Sequence, residues 1–370
     1  MKLFKMQVVL TLAVLCLACS GAPALADLAW NIQTVDSEGY VGKYTSLALD
    51  GGGHPHISYY GNGDLKYAAS DGSVWDIQTV DSEGSAYSES SLGLDARGNP
   101  HISYWDHTNS DLKYAVSNGS TWNLQTIDSE GYVGRYTSLA LDAAGNAHIS
   151  YGDLTNNDLK YAAFDASTWN MQIVDSEECA GSFSSLALDV GGNPHISYNN
   201  WANTELRYAV FDGSTWNIQT VDSGREVRAF SSLALDASGY AHISYYANDS
   251  LKYAAFDGLA WNIQTVDSKG SVGYFSSLAL DTSGNPHISY YDDTNTNLKY
   301  AAFDGSTWNI QTVDSQGAVG AFSSLGLDAS SFPHISYYDA TNGDLKYAYI
   351  PEPATVLLLG LGGLALRRRR

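Results

Sequence analysis

Residues 275–315 read FSSLALDTSGNPHISYYDDTNTNLKYAAFDGSTWNIQTVDS. Small and apolar residues alternate along Ser276–Leu280, which predicts a buried strand. His287–Tyr291 is rich in β-branched and aromatic residues and predicts a second strand. Leu298–Phe303 and Trp308–Val313 predict two more strands, and the Gly, Asn, Pro and Asp residues between the segments predict turns. The stretch is therefore one unit of four short strands.

This unit recurs seven times along the chain. Each copy has a tryptophan at the start of its fourth strand, 45 or 47 residues after the previous one: Trp30, Trp75, Trp122, Trp169, Trp216, Trp261 and Trp308. A period near 45 with four strands per copy is typical of a β-propeller, a ring of small sheets. The sequence predicts an all-β protein, a seven-bladed β-propeller with four antiparallel strands per blade, labelled A to D from the axis outward.

The first and last repeats predict how the ring closes. The Asp-Gly-Ser-Thr-Trp turn at 304–308 resembles the Asp-box hairpin of sialidase-like propellers, with one residue fewer between Asp and Trp. That hairpin joins the third and fourth strands of a blade, in agreement with our labels. The repeats begin with a D strand, Trp30–Asp36, and end with a C strand, Leu345–Tyr349. We therefore expect the N-terminal strand to complete blade seven by 3+1 closure, which protects the strand edge.

The N-terminus is predicted to be an export signal covering residues 1–26. Two lysines are followed by an apolar stretch, Val8–Ala18, and by a small-residue cleavage site, Ala24–Ala26. Lipid attachment at Cys19 is the alternative interpretation. Residues 27–350 then form the predicted propeller.

The C-terminus, residues 351–370, has three parts in a fixed order. Pro351, Glu352 and Pro353 precede a short apolar segment, Ala354–Leu366, and the chain ends in four arginines: Arg367, Arg368, Arg369 and Arg370. The apolar segment is shorter than the roughly 20 residues of a typical transmembrane helix, and the arginines favour the cytoplasmic side. The order resembles the PEP-CTERM sorting signal of Gram-negative bacteria. The resemblance implies an exosortase-type processing enzyme, a transient inner-membrane anchor, and delivery to the cell surface or extracellular matrix; a plain tail anchor is the alternative.

Composition narrows the choice of partners. Setting aside the basic residues and the one glutamate of the two termini leaves 13 Lys and Arg against 39 Asp and Glu, a net charge of −26. Such a surface repels nucleic acid and anionic lipid. Cys179 is the only cysteine between the termini, so an internal disulfide is not expected.

Loop lengths predict which face binds. The distance from the strand B histidine to the strand C leucine is nine residues in blades one and five and eleven elsewhere, whereas the other steps are constant. The B–C loops share a face with the D–A loops, and binding residues commonly occupy variable loops on a rigid scaffold. We expect exposed aromatic and basic residues there to form a ligand site: Tyr60, Trp105, Trp201, Tyr246, Tyr291, Tyr338, Arg135, Arg225 and Arg228.

Other repeated polar residues have structural interpretations. The strand B histidines occur once per blade around the ring, so each is expected to be hydrogen-bonded inside its blade rather than to share a metal ion. Four B–C loops begin with an aspartate followed by Thr and Asn: Asp106, Asp153, Asp292 and Asp339. These oxygens are weak calcium candidates, and Asx turns are the alternative. No cofactor is otherwise predicted.

Three functions remain open. A non-enzymatic binding module for a polysaccharide or surface protein is the preferred interpretation. The alternatives are a sialidase-like, glycan-cleaving enzyme and a purely structural protein of the envelope or matrix. A sialidase would need three arginines to hold the substrate carboxylate. Two of the arginines on this face, Arg225 and Arg228, share one loop. No isolated pair of acidic residues stands out among seven similar blades, so catalysis is not expected.

Overall fold

The computed structural model describes residues 29–83, 89–177, 179–224, 226–227 and 230–351. Within these residues it contains strands and no helices, and the strands form seven separate four-stranded sheets. The predicted all-β, seven-bladed propeller is confirmed. The predicted export signal lies outside the described residues, as does the sorting segment from Glu352 onward. Over the described ranges, no helix is long and apolar enough to cross a membrane.

Each strand is short, as expected from the repeat. In chain order the strands are β1 (Asn31–Asp36), β2 (Val41–Leu49), β3 (Pro55–Gly61), β4 (Asp64–Ser70), β5 (Trp75–Asp81), β6 (Ser90–Leu94), β7 (Pro100–Asp106), β8 (Asp111–Ser117), β9 (Trp122–Asp128), β10 (Val133–Leu141), β11 (Ala147–Asp153), β12 (Asp158–Phe164), β13 (Trp169–Asp175), β14 (Ser182–Leu188), β15 (Pro194–Asn200), β16 (Glu205–Phe211), β17 (Trp216–Ser223), β18 (Ser232–Leu235), β19 (Ala241–Ala247), β20 (Ser250–Phe256), β21 (Trp261–Asp267), β22 (Val272–Leu280), β23 (Pro286–Asp292), β24 (Asn297–Phe303), β25 (Trp308–Asp314), β26 (Val319–Leu327), β27 (Pro333–Asp339) and β28 (Asp344–Tyr349).

The sheets confirm the predicted closure. Blades one to six are continuous in sequence, from β2–β5 to β22–β25, and blade seven has the order β1-β28-β27-β26. In blade seven β1 is antiparallel to β28, with Asn31 opposite Tyr349 and Asp36 opposite Leu345. The N-terminal strand is thus the outer strand of the last blade, so the two ends of the repeat region are joined in one sheet.

The hydrophobic core lies between the blades. Side chains alternate between the two faces of each strand, so every sheet can pack against both neighbours. The cluster between blades two and three, for example, combines Leu112 and Tyr114 from blade two with Leu139, Ile149 and Tyr151 from blade three. The ring is therefore stabilised by packing between adjacent sheets.

Two polar contacts recur at the blade boundaries. Trp169 of blade three donates its indole N–H to Gln125 Oε1 of blade two at 3.2 Å, and its ring meets that of Tyr114 edge-on at 5.3 Å. Deeper in the same boundary, Asp128 of blade two accepts hydrogen bonds from the Tyr151 hydroxyl and the Lys160 ammonium of blade three. These contacts join outer and inner strands of neighbouring blades.

The loops divide between two faces. The A–B and C–D turns form one face, called here the A–B face, and the B–C and D–A loops form the opposite face, the B–C face. On the B–C face, the Asn62 N–H of a B–C loop donates to the Tyr40 carbonyl of a D–A loop. The prediction that these two loop sets share a face is confirmed.

Candidate functional site

A circle of mostly aromatic side chains, called here the aromatic ring, surrounds the propeller axis near the B–C face. One position per blade, fourteen residues after the strand D tryptophan that precedes it, points to the axis. Among the described residues it is aromatic in six blades and glutamate in blade two: Tyr44, Glu89, Tyr136, Phe183, Phe230, Phe275 and Phe322. These side chains and the Ser or Thr that follows each of them line an open cavity of about 210 Å³.

A strained backbone aims these rings. The φ angles of Tyr44, Tyr136, Phe183, Phe275 and Phe322 lie between 51° and 56°. Bulky residues rarely adopt this left-handed region, which costs roughly 1–2 kcal/mol per residue. The strain falls at a β-bulge, where the pairing of strand A with strand B shifts register, for instance between Lys43 and Ser46. The positive φ recurs with the bulge from blade to blade, so the same backbone geometry places each of these aromatic residues.

A glycine two residues before the aromatic residue allows a close approach at the same bulge in blade one. Gly42 has a φ of 99°, and a Cβ atom at this position would lie 2.6 Å from the Cα of Leu345 in the neighbouring blade. A side chain at position 42 would therefore force blades one and seven apart. The glycine allows strand A to approach its neighbour closely while the chain turns the aromatic side chain toward the axis.

The rings stand edge-on to the axis. Neighbouring ring centroids are 4.3–4.5 Å apart, and their planes differ by 48–54°. The angle matches the roughly 51° between adjacent blades of a seven-fold ring, so each ring plane runs parallel to the axis. At this spacing, rings facing the axis would overlap. Each aromatic side chain therefore points a C–H edge toward the axis and packs its faces against the neighbouring aromatic side chains.

Hydroxyl groups fix the ring from below. Ser184, which follows Phe183, donates to the Tyr136 carbonyl of the previous blade at 2.8 Å and contacts the Ser150 hydroxyl at 2.8 Å. A second serine lies two residues after the aromatic residue. In blade three this is Ser138, whose hydroxyl accepts the Leu186 N–H of blade four at 3.0 Å. These bonds hold adjacent A strands at a constant offset, which keeps the aromatic residues at one level.

Glu89 interrupts the aromatic ring. Its carboxylate accepts the Tyr136 N–H at 2.6 Å and lies 3.5 Å from the Arg135 guanidinium. Burial raises the pKa of the Glu89 carboxyl, and the charge of Arg135 and the Tyr136 N–H offset part of that rise. The side chain is 20% exposed. Glu89 is thus the charged member of an otherwise apolar ring, reachable from the cavity.

Arg135 connects Glu89 to Trp105. The guanidinium lies 4.7 Å from the Trp105 ring and 4.8 Å from the Tyr136 ring, in cation–π geometry. Trp105 is 2% exposed. The expectation that Trp105 is an exposed platform is therefore wrong, because Arg135 from the next blade and the ring of Tyr132 cover it. Within the described part of the chain, neither Trp105 Nε1 nor Arg135 Nε has a hydrogen-bond acceptor.

Three of the other predicted aromatic residues lie beside aromatic residues that line the cavity. Trp201 is 45% exposed, and its ring lies 6.3 Å from Phe183. Tyr291 and Tyr338 each lie 6.4 Å from a ring member, Phe275 and Phe322 respectively.

The four remaining predicted positions do not share this arrangement. Tyr246 is buried against Tyr274 at 4.1 Å and donates to Asp249, so it offers no free ring face. Tyr60 is partly buried and pairs in the sheet with Lys43. Arg225 and Arg228 lie outside the described residues.

The calcium candidates form closed turns. Asp106 Oδ1 accepts the backbone N–H groups of Thr108 and Asn109, and its Oδ2 accepts the Asn109 amide. Equivalent bonds are present at Asp153, Asp292 and Asp339. The Asx-turn alternative is confirmed, and calcium stays a prediction. In the ranges that the structure covers, no group of three His, Cys, Asp or Glu side chains is arranged for a metal ion.

The strand B histidines are hydrogen-bonded within their blades, as expected. His148 Nδ1 contacts the Tyr161 hydroxyl, and its Nε2 lies 3.8 Å from the Asp142 carboxylate. Burial lowers the pKa of His148, although the charge of Asp142 partly opposes this. A neutral ring with its proton on Nε2, toward Asp142, leaves Nδ1 to accept the tyrosine hydroxyl.

Sequence reasoning missed the aromatic ring itself. The signal was present, since an aromatic residue precedes the Ser-Ser-Leu or Thr-Ser-Leu of strand A at a constant distance from each tryptophan. The repeated tryptophans, by contrast, pack between blades, as Trp169 does against Gln125 and Tyr114. The residues that precede Ser-Ser-Leu or Thr-Ser-Leu in strand A differ from the tryptophans in one respect. Blade two has Glu89 at this position, and a position that served only for packing would be apolar.

Comparisons with solved structures agree with the fold. YCF48 from Cyanidioschyzon merolae has a TM-score of 0.57 at 13% identity, over 86% of this chain and 98% of the other. A polysaccharide lyase of family PL25, an ulvan lyase, has a TM-score of 0.56 at 13% identity, over 87% and 94%. The α-L-arabinofuranosidase Arb93A from Fusarium graminearum has a TM-score of 0.52 at 12% identity, over 89% and 98%. At these identities the similarity shows a shared fold.

Sequence comparison identifies the C-terminus. No curated protein matches the chain in sequence. The profile of the PEP-CTERM protein-sorting motif matches residues 350–370, which confirms the predicted resemblance. The motif indicates export and handling by an exosortase-type enzyme at the envelope of a Gram-negative bacterium. The chain is a seven-bladed β-propeller that carries a PEP-CTERM sorting motif.

Proposed function

We propose that the protein is an exported, non-enzymatic binding module that holds a neutral or amine-bearing polysaccharide at the axis of its B–C face. The supporting observation is the interrupted aromatic ring around the 210 Å³ cavity. The inward C–H edges of these aromatic side chains form a rigid apolar lining at low entropic cost, against which the apolar face of a sugar ring can pack. The backbone strain at this ring is explained if the ring positions a ligand.

The composition of the site supports this ligand class. The Ser and Thr hydroxyls that line the cavity can donate to and accept from sugar hydroxyls. Glu89 is an acceptor at the same place and favours an amine over an acid. The net charge of −26 disfavours anionic polymers through long-range repulsion. A protein sorted to the cell surface or extracellular matrix, after a transient stay in the inner membrane, would meet such polymers.

Binding of the purified protein to an array of neutral and amine-bearing glycans tests the proposal. We expect Trp201→Ala to weaken binding roughly ten-fold, about 1.4 kcal/mol, because Trp201 is 45% exposed beside Phe183. Tyr240→Ala is the matched control, since Tyr240 is 41% exposed but lies in an A–B turn on the opposite face. Equal effects of the two substitutions would contradict an axial site on the B–C face.

The same preparation distinguishes the alternatives. Hydrolysis of a reporter sialoside or another glycoside would replace the proposal with a sialidase-like or other glycan-cleaving enzyme. Retention of a surface protein without any glycan binding would indicate a protein ligand. Failure to bind either would leave a structural role in the envelope or matrix.

A further inference from the structure

Both ends of the propeller leave it on the A–B face. Strand β28 runs from the B–C face toward the A–B face and ends at Tyr349, opposite Asn31 at the start of β1. The Asn31 amide donates to the Tyr349 hydroxyl at 2.9 Å. Tyr349 also lies opposite His334, which follows the A–B turn of blade seven. The segments that precede and follow the propeller therefore start side by side on one face.

The sorting motif begins without a spacer. Ile350, the first residue of the match, is 2% exposed, and its N–H donates to the Pro333 carbonyl at 3.2 Å. Ile350 and Pro351 line a depression of about 420 Å³ between the A–B turns of blades one and seven. Three residues, 351–353, separate Ile350 from the predicted apolar segment. Fully extended, they span about 10 Å.

The charge of the A–B face indicates what it contacts. Every A–B turn begins with an aspartate, and so do five C–D turns among the described residues: Asp71, Asp165, Asp212, Asp257 and Asp304. Hydrogen bonds from Ser73 and Val74 lower the pKa of Asp71 to about 2, so its carboxylate is ionised at neutral pH. An acidic face is repelled by anionic lipid and attracted to a basic protein surface.

We infer that the A–B face is a docking surface for the membrane-embedded processing enzyme, which presents a basic surface to it. The tether of about 10 Å gives the precursor little room to turn, so this face is held toward the membrane and the B–C face points away. The inference is independent of the proposed ligand, because it depends on strand direction, the buried Ile350 and the charge of the turns. It assigns a role to the face opposite the aromatic ring.

Cysteine labelling of the precursor tests the orientation. In a Cys179→Ser background, Ser306→Cys places a thiol in the C–D turn that precedes β25, and Ser315→Cys places one in the D–A loop that follows it. Both positions are exposed in the structure. In spheroplasts, a membrane-impermeant maleimide should label the Ser306→Cys precursor several-fold more slowly than the Ser315→Cys precursor. The processed protein in the same sample should show no difference.

A longer tether supplies the control for this experiment. Twelve Gly and Ser residues inserted between Ile350 and Pro351 add roughly 20 Å of flexible reach and should remove the difference in labelling. Equal labelling of the two precursors without the insertion would overturn the orientation. A difference that persists in detergent-solubilised precursor would also overturn it, because the protection would then come from the propeller itself.

Processing kinetics test the docking surface. We expect pulse–chase processing to slow several-fold when the five C–D turn aspartates are changed to asparagine. Blade two already has Asn118 there, and its Oδ1 accepts the N–H groups of Ser120 and Thr121, so the turns should survive. The control neutralises five exposed acidic residues of the B–C face, all as amides: Glu38, Glu83, Glu130, Glu226 and Asp293. Equal slowing in both variants, or none in either, would overturn the proposed surface.

Discussion

At the residue scale, Glu89 is the side chain that makes the axial site differ from blade to blade. Six blades contribute an aromatic side chain to the lining of the axial cavity. Blade two contributes a carboxylate, which pairs with Arg135 of blade three. A complete ring of seven aromatic residues would be closed by mutual packing. Glu89 stands between Tyr44 and Tyr136 in the lining of the cavity, and the Arg135 guanidinium lies 4.8 Å from the Tyr136 ring. The departure from the repeat therefore creates both the space and the polarity of the site.

An aromatic residue in place of Glu89 should weaken binding. Glu89→Phe adds a seventh ring, worth about 0.5–1.5 kcal/mol in aromatic contacts, which fills the gap and removes the carboxylate. We expect glycan affinity to fall at least about ten-fold, and the free energy of unfolding to fall as well, because Arg135 and the Tyr136 N–H lose their acceptor. Glu89→Gln is the control, because it keeps the shape and an acceptor for the Tyr136 N–H. Unchanged affinity in Glu89→Phe would place the ligand away from the axis.

The strand B histidines make stability depend on pH. Burial lowers their pKa values in the folded protein: His56, His101, His148, His195, His242, His287 and His334. The unfolded chain then binds more protons than the folded protein below pH ~6.5. The stabilising contribution of neutral histidine is present above that pH and is lost as the pH falls.

We therefore expect the melting temperature to decrease from pH 7.5 to pH 5. Each histidine contributes at most about 1.4 kcal/mol per pH unit in this window. Calorimetry at constant ionic strength measures the effect. A His148→Asn variant should be less stable at pH 7.5 but show a shallower pH dependence than the parent. A flat profile in the parent would mean that the histidines have the same pKa in the folded and unfolded states.

At the scale of elements, the boundary between two blades is held by a buried ion pair. Asp128 ends β9 and bonds Tyr151 in β11 and Lys160 in β12. Burial raises the pKa of Asp128, but the hydrogen bonds from Lys160, the Glu130 N–H and Tyr151 lower it further than burial raises it. The carboxylate is thus ionised, and its contribution is lost only as the pH falls below about 4.

Removing this charge should destabilise the whole ring. Asp128→Asn leaves the Lys160 ammonium in a buried site with weaker compensation, and breaking a buried pair costs about 3–5 kcal/mol. Denaturant unfolding of the purified protein measures the loss. Asp165→Asn, in an exposed C–D turn, is the control and should change the unfolding free energy by less than about 0.5 kcal/mol. Similar losses in both variants would show that the boundary pair has no special weight.

The repeat made the elements predictable, whereas contacts between elements were not. The tryptophan spacing was sufficient for blade number, strand order and closure, because each follows from counting equivalent segments. Trp105 was misjudged because its burial depends on Arg135, a residue 30 positions away that reaches it only across a blade boundary. Similarly, Phe275 and its equivalents looked like strand residues, and only the bulge at φ near 51° turns them to the axis.

At the scale of the molecule, the ring depends on its N-terminal strand. Strand β1 makes the same contacts to its neighbours as every other D strand. Trp30 donates to Gln311 of blade six, and Gln33 accepts from Trp75 of blade one. Asp36 bonds Tyr59 and Lys66 of blade one. The outer strand of blade seven therefore joins that blade to both of its neighbours.

Deleting residues 27–37 should open the ring. The deletion exposes the edge of β28, a strand of six residues with unpaired backbone groups, and exposed strand edges promote aggregation. It also leaves Lys66 without its carboxylate partner and Gln311 without its indole partner. We expect loss of cooperative thermal unfolding and a concentration-dependent increase in light scattering. Replacing the same segment with that of another blade, residues 305–315, should restore cooperative unfolding. Both segments supply the same tryptophan, glutamine and aspartate contacts to the neighbouring blades. A truncated protein that melts like the parent would contradict 3+1 closure.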